Sequence, residues 1–169
     1  GVVGLFGGLS YADVIPALSA TAEEEGFTLL FSGYAGEAEP DGDKTLYTSS
    51  GESLSISADE FSLEMKNLSM DMSYDGDMVA AFKGDLFEST GKARIESIEI
   101  SNIEPGATVK IENLAFATDV KIDEDNNTAN VYVEYAVDKA VGPELDATDM
   151  VLGVAINNLD IDFIKAYQD

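Results

Sequence analysis

The sequence has no cysteine and no histidine among its 169 residues. Without cysteine, the chain cannot form a disulfide, a thiolate metal site or a cysteine nucleophile. Without histidine, it lacks the commonest general base and the commonest transition-metal ligand, and with them every Ser-His-Asp or Cys-His arrangement. The GxSxG, P-loop, GxGxxG and HExxH motifs are missing as well, which leaves only a pair of carboxylates as a catalytic arrangement. We therefore expect a protein that is not an enzyme and uses no cofactor.

Basic residues are scarce: 9 lysines and arginines stand against 33 acidic residues, for a net charge of -24. This charge repels the phosphates of nucleic acids and the anionic surface of a bacterial membrane, so we expect no nucleic-acid partner. The acidic residues predict a solvated surface, as in secreted or salt-adapted proteins. The alternative is an acidic face for a cation or a basic partner.

The chain also lacks a long hydrophobic run. Its first nine residues, "GVVGLFGGL", are apolar, but about 20 residues are needed to cross a bilayer. We therefore expect no membrane span in this chain. Because the sequence starts in mid-pattern without a methionine, we expect it to be a fragment of a longer protein.

What the sequence does contain is the composition of one globular domain, with 45% hydrophobic residues. From Phe27 onward apolar residues recur with period two, and turn compositions such as "EPDGDK" and "DEDNN" separate the runs. Strand follows strand with short connections, which predicts an extended, twisted antiparallel sheet of repeated meanders. The expected fold class is all-β with short helices near both termini, and the β-sheet body spans residues 27–169.

Residues 1–26 are predicted to form a helical or irregular segment. A helix from Ser10 to Gly26 is indicated by a capping serine, a terminal glycine and apolar residues at helical spacing, namely Ala12, Ile15, Leu18 and Ala22. Pro16 argues against a single continuous helix, because proline removes a backbone donor. A second short helix is expected from Asp160 to Tyr167.

An Asn-Leu step recurs at intervals of 46 and 45 residues, at Asn67, Asn113 and Asn158. At each asparagine the apolar residues change from one parity to the other, which would turn them to the opposite face of a regular strand. A β-bulge or a bend at that position keeps them on one face, and asparagine enters the left-handed region readily. We therefore interpret the three asparagines as structural bulges in a repeated unit of two or three strands, and not as ligand-binding amides.

Two groups of residues are candidates for binding. Part of a calcium-loop pattern is matched at its positions 1, 3, 5 and 12 by Asp123, Asp125, Asn127 and Glu134. Position 6 lacks glycine and the flanks read as strands, so a hairpin turn is the competing interpretation. Four methionines offer a flexible apolar surface that suits either the core or an apolar ligand, namely Met65, Met70, Met72 and Met78.

The segments "VKIENLAFATDVKIDEDNN" and "VGPELDATDMVLGVAINNLDIDFIKAYQD" resemble the C-terminal part of the YdgA-like family of bacterial proteins of unknown function. The resemblance covers about residues 60–169. It implies an envelope protein of Gram-negative bacteria with an inner-membrane anchor and a periplasmic body, and it assigns no catalytic residues. We therefore expect a non-enzymatic periplasmic structural or binding module whose partner is an unknown envelope protein or an apolar ligand. The alternatives are a lipid carrier or sensor that uses the concave face of the sheet, and a calcium-dependent extracellular adhesion module.

Overall fold

The fold is an antiparallel meander. The structure, a computed structural model, describes residues 2–3, 9–22, 26–58, 61–75, 87–101 and 106–166. The strands are β1 (Val2–Val3), β2 (Leu9–Ala22), β3 (Phe27–Asp41), β4 (Lys44–Ala58), β5 (Phe61–Asp75), β6 (Ser89–Ser101), β7 (Thr108–Asp123), β8 (Thr128–Gly142) and β9 (Leu145–Asp160), followed by the helix α1 (Ile161–Ala166). Their order in the sheet is their order in the chain, and each neighbouring pair is antiparallel. The predicted all-β fold class is confirmed.

The predicted helix from Ser10 to Gly26 is wrong, because residues 9–22 form β2. This strand pairs with β3 from Tyr11 opposite Ala38 to Ala22 opposite Phe27. Pro16 argues against a helix, but the strand tolerates it because Pro16 lies between two ladder pairs and takes part in neither.

The helix at the C-terminal end is confirmed at α1. Asp160 caps it: its side chain accepts hydrogen bonds from the backbone N–H groups of Asp162, at 2.9 Å, and Phe163, at 3.2 Å. Ile161 is buried, with 7% of its surface exposed, so the helix is fixed to the end of β9. Tyr167, the predicted last residue, lies outside the described residues.

A row of residues runs straight across the sheet, and at this row the ladder skips one position on each strand, or two between β3 and β4. We call it the crease, and it consists of Pro16, Gly33, Glu52, Asn67, Glu96, Asn113, Asp138 and Asp149. For example, Ile95 pairs with Leu114 and Ser97 pairs with Glu112, while Glu96 stands opposite Asn113.

Every second strand crosses the crease in the left-handed conformation. The φ angles are 67° at Gly33, 52° at Asn67, 54° at Asn113 and 53° at Asp149. Side chains also join along the row: Asn67 donates to Glu96 at 2.7 Å and Asn113 donates to Asp138 at 2.7 Å. Glycine, asparagine and aspartate are the residues that tolerate this backbone, so the crease is encoded locally on alternate strands.

At Asn67 and Asn113 the predicted bulge or bend is a bend and not a bulge, because the φ angle is left-handed while each residue stands opposite a single residue and the register is kept. Since the neighbouring strands change the parity of their apolar residues at the same row, no extra residue is needed to keep these residues on one face. At Asn158 a true irregularity is present: Asn157 and Asn158 lie opposite Asn130. Asn158 has a φ of 58° but lies at the other end of β9 from the crease, so the three asparagines are not equivalent members of one repeat.

The crease divides the sheet into an upper half, which holds Leu114–Asp123 of β7, and a lower half, which holds Thr108–Glu112. The apolar residues of each strand change parity at the crease but stay on one side, which we call the apolar face. Phe31 of the lower half shows this, because its ring lies 6.0 Å from that of Tyr34 in the upper half. A Cβ added to Gly51 would lie 3.1 Å from the same phenyl ring.

The molecule exposes more surface than its size requires. Its accessible area is 11337 Å², whereas a compact monomer of 18.0 kDa exposes about 8,000 Å². Buried hydrophobic residues are correspondingly few in the described part of the chain, namely Ala38, Tyr74, Ile98, Ala129, Ala140 and Ile161. The sheet is therefore a single layer over most of its described extent.

Candidate functional site

The apolar face is the most distinctive surface of the molecule. Charged residues make up 25% of the chain, yet among the described ladder-paired residues on this face Asp13 is the only charged one. The opposite face carries the other charges of the paired strands, such as Asp71, Lys92 and Glu134. Apart from Asp13, the charges of the described ladder-paired residues are thus displayed on one side of the sheet.

The size of the apolar face sets it apart from ordinary surface patches. Eight strands of 13 to 16 residues, β2 to β9, give a face of about 35 Å by about 45 Å, or about 1,500 Å². Soluble monomers rarely expose contiguous apolar patches above a few hundred Å². A face of this size and composition is typical of a binding surface.

A hollow of about 280 Å³ lies on the apolar face beside the crease. Its lining includes Phe31, Tyr34, Gly51, Leu68, Met70 and Ile95. Gly51 lies on its floor, where the absence of a side chain leaves room between Phe31 and Leu68. The hollow therefore connects the apolar residues of the lower and upper halves.

Three of the four methionines singled out by the sequence lie on β5 and on the apolar face. Met65, Met70 and Met72 are all half-buried, and Met70 lines the hollow beside the crease. Met72 packs near Gly91, since a Cβ added there would lie 3.4 Å from the Met72 Cγ. Met78 lies outside the described residues.

A polar cluster interrupts the apolar face near its β2 edge, and sequence reasoning missed it. The hydroxyls of Tyr34 and Tyr47 are 3.0 Å apart and share a hydrogen bond. This bond and burial raise the pKa of Tyr34 to about 12, and a hydrogen bond to Asp13 raises the pKa of Tyr11. The pairing of Tyr11, Ala38 and Tyr47 in one row brings these side chains together, which no local sequence signal could show.

Glycine is required beneath this cluster. A Cβ added to Gly36 would fall 2.5 Å from the Tyr34 hydroxyl and 2.7 Å from Asp13 Oδ1. That oxygen of Asp13 is buried and has no hydrogen-bond partner among the described residues. The cluster therefore offers one unused acceptor and two tyrosine hydroxyls on an otherwise apolar surface.

Three shallow hollows of about 420 to 500 Å³ lie on the opposite face of the upper half. Their walls are mostly small side chains, and Tyr132 stands at one end, where its ring covers Gly153 and its hydroxyl donates to Glu134. This hydrogen bond raises the pKa of Tyr132. Acidic and basic side chains alternate along the floor, as expected of a solvated surface, so we place the candidate site on the apolar face.

The hairpin interpretation agrees with the structure, because β7 and β8 join in a tight turn that leaves Glu134 far from Asp123, Asp125 and Asn127. Asp123 instead accepts hydrogen bonds from the backbone and the side chain of Asn126, at 3.1 and 2.8 Å, which lower the pKa of Asp123. Asn127 lies in the turn with a φ of 52°. Glu134 lies on β8 opposite Ala117, about 20 Å along the strand from the turn.

The described ranges contain neither a cluster of metal-ligating side chains nor a membrane-spanning helix. Within them, no three acidic side chains come close enough to hold a metal ion, Asp125 of the predicted loop included. No helix in the same ranges has both the length and the hydropathy needed to cross a bilayer.

The comparisons with known proteins identify the family. The chain belongs to the family described as "Bacterial protein of unknown function (DUF945)", which matches residues 1–169. No curated protein and no solved structure matched the chain. The predicted resemblance to YdgA-like proteins is consistent with this membership at the level of a bacterial family of unknown function.

Proposed function

We propose that the protein is a non-enzymatic binding module of the bacterial envelope, located in the periplasm, whose apolar face takes up the acyl chains of lipids. The observation that carries this proposal is the apolar face itself: about 1,500 Å² by strand geometry, with Asp13 as its one charged residue among the described ladder pairs. Such a surface is stable in water only when something apolar covers it.

The free energy available on this face is sufficient for binding. Covering about 500 Å² of it contributes about 12 kcal/mol at 25 cal/mol per Å². Association costs at least about 4 kcal/mol in lost freedom of motion. The remainder corresponds to a dissociation constant in the micromolar range.

The hollow beside the crease gives an acyl chain a defined place. It has room over Gly51, and its walls are the apolar side chains of Phe31, Leu68 and Met70. Methionine adapts its shape to irregular apolar ligands. A chain in this hollow would run across the crease from one half of the sheet to the other.

The tyrosine cluster indicates the polar end of the ligand. Asp13 Oδ1 is an unused acceptor, and a carboxylate repels another anion. We therefore expect a ligand whose polar group donates a hydrogen bond, such as a hydroxyl or an amine. A fatty-acid carboxylate is expected to bind less well than a long-chain alcohol.

The proposal of an envelope location rests on the resemblance to YdgA-like proteins, while the family match supports a bacterial protein of unknown function. The net charge of -24 keeps the module from lying flat on an anionic membrane surface. These two properties suit a module that holds lipid away from the bilayer.

A titration with a fluorescent long-chain alcohol tests this proposal. Leu68→Gln places an amide in the hollow and should weaken binding about tenfold. Glu64→Gln is the matched control, since Glu64 is exposed on the opposite face of the same strand and does not line the hollow, and it should leave the affinity unchanged. Circular dichroism melts establish that both variants are folded. Absence of binding, or an equal loss in both variants, would contradict the proposal.

The area of the face favours a second candidate, a structural module covered by a protein layer. A standard protein interface buries about 800 Å² on each partner, which this face exceeds. In that case the long-chain alcohol would not bind, and the protein purified from the envelope would be in complex with another protein. Calcium-dependent adhesion is not proposed, because the residues that suggested it do not meet.

A further inference from the structure

We infer that β9 pairs edge to edge with β9 of a second copy of this chain, so that two sheets join into one. Among the described strands, β9 is hydrogen-bonded to β8 on one side only. Its side chains are exposed on both faces, with 66% of Val151 and 63% of Leu152 accessible. An open edge of this kind is a template for another strand.

The exposed edge lacks the residues that normally block such pairing. From Met150 to Leu159 it contains no charged residue and no proline, although 25% of the chain is charged. Proteins usually protect an edge with lysine, proline or inward-facing charges. The other edge strand, β2, has such protection in Pro16 and Asp13, and β1 pairs with its first residues.

The straight part of β9 has defined ends. Asp149 and Asn158 are both left-handed, with φ angles of 53° and 58°, and they bound the eight residues 150–157. Eight extended residues span about 26 Å. This is longer than an average strand, so it suffices for a stable ladder.

The sequence of this segment complements itself. A two-fold axis perpendicular to the sheet keeps each side chain on its own face, and an axis through Val154 places Leu152 of one copy opposite Ile156 of the other. In the same register Gly153 meets Ala155. Leu152 and Ile156 thus meet on the apolar face and Gly153 and Ala155 meet on the opposite face, as cross-strand pairing favours, while Met150 and Val151 lie opposite Asn158 and Asn157.

Charge favours this register at short range. Asp149 of one copy lies opposite Leu159 of the other, and Asp160 lies opposite Thr148, so no two acidic residues of the strands face each other. At long range the net charge of -24 on each copy opposes association. Salt screens this repulsion, since the Debye length falls from about 10 Å at 0.1 M to about 3 Å at 1 M.

The dimer would extend the apolar face across both copies, because the two-fold axis leaves both faces on the same side. This inference is independent of the proposed ligand, since it rests on the edge of β9 and not on the hollow. A second copy is preferred over a foreign strand because of the self-complementary register and the pairing of acidic residues with neutral ones.

Sedimentation equilibrium of the full chain at low and high salt tests this inference. We expect a dimer. Because salt screens the repulsion between the two negatively charged copies, its association constant should rise by about tenfold or more between 0.1 M and 1 M salt. Val154→Glu places two carboxylates opposite each other at the axis and should abolish the dimer. Val14→Glu, the same change at a residue 70% exposed on the other edge strand, should leave the dimer intact.

A cross-linking experiment fixes the register. Because the chain has no cysteine, Val154→Cys introduces a single thiol, and two copies paired at the axis bring the two thiols close enough for a disulfide. Oxidation should produce a covalent dimer with Val154→Cys and only monomer with Val14→Cys. A monomer at both salt concentrations, a dimer that survives Val154→Glu, or equal cross-linking of the two variants would overturn the inference.

Discussion

The two faces of this sheet are made by the same strands, yet they differ in nearly every physical property. One face is apolar across eight strands, and the other carries almost all the charges of the paired residues. In a monomer that works alone in water, such a difference would require a second layer over the apolar side. Among the described residues that layer is missing, so the contrast between the faces points to a partner.

The crease is what keeps the two faces distinct. Without it, the change of parity at Asn67 and Asn113 would turn half of each strand inside out. Because all strands from β2 to β9 take the step at the same level, the ladder resumes in register on the other side. Continuity of the apolar face and of the hollow therefore depends on a backbone feature.

The largest expected effect comes from placing a charge on the wrong face. Ile98 is 6% exposed on the apolar face, and Ile98→Asp should lower the free energy of unfolding by about 3 kcal/mol or more. Ser97→Asp, on the opposite face of the same strand, should change it by less than about 1 kcal/mol. Urea denaturation measures both values. Equal losses would show that the two faces are not different environments.

Filling the hollow should separate binding from stability. Gly51→Val places a side chain where the phenyl ring of Phe31 lies 3.1 Å from the Cβ position, and we expect acyl-probe affinity to fall about tenfold. Thr48→Val changes a residue of the same strand whose exposed side chain lies on the opposite face, outside the hollow, and should keep the affinity. Fluorescence titration compares them. Unchanged affinity in Gly51→Val would place the ligand elsewhere.

Removing the amide at the crease should weaken the fold moderately. Asn113→Ala loses the hydrogen bond to Asp138 and keeps a left-handed φ of 54°, so unfolding should become easier by about 1 to 2 kcal/mol. Asn113→Gly loses the same bond without backbone strain and should cost less. Thermal melts rank the two variants. A glycine variant that is no more stable than the alanine variant would argue against strain at the crease.

The smallest effect is a titration at the polar cluster. The pKa of Tyr34 is raised to about 12 by its hydrogen bond to Tyr47 and by burial. A raised pKa contributes stability below the unfolded value of about 10, and that stability is lost as the pH rises from 10 to 12. Ultraviolet titration should show a tyrosine with a pKa of about 12, and this titration should be lost in Tyr34→Phe. Its persistence in that variant would assign the late titration to another residue.

Much of the fold could be predicted from the sequence, because period two in the apolar residues is a local signal. The period-two signal failed at residues 10–22, where Ala12, Ile15 and Leu18 match the spacing of a helix. The strand there changes parity at Pro16, and a parity change imitates a helical pattern. Pairing with β3 decides the outcome, and it involves residues distant in sequence.

The site could be predicted only in part. The parity change marked Asn67 and Asn113, but the full crease also needs Gly33 and Asp149, which become its equivalents only once the register is known. The described members of the methionine group lie on the apolar face, and their role in binding an apolar ligand stays a prediction. The cluster around Asp13 and Tyr34 depends on cross-strand pairing, so composition and spacing carried no signal for it.

Native mass spectrometry of the protein purified gently from a bacterial envelope tests the central claim most directly. We predict a stoichiometric adduct of lipid mass on the unmodified chain and on Glu64→Gln, and its loss in Leu68→Gln. A bare chain mass in all three proteins, with no adduct, would contradict the claim that the apolar face holds acyl chains.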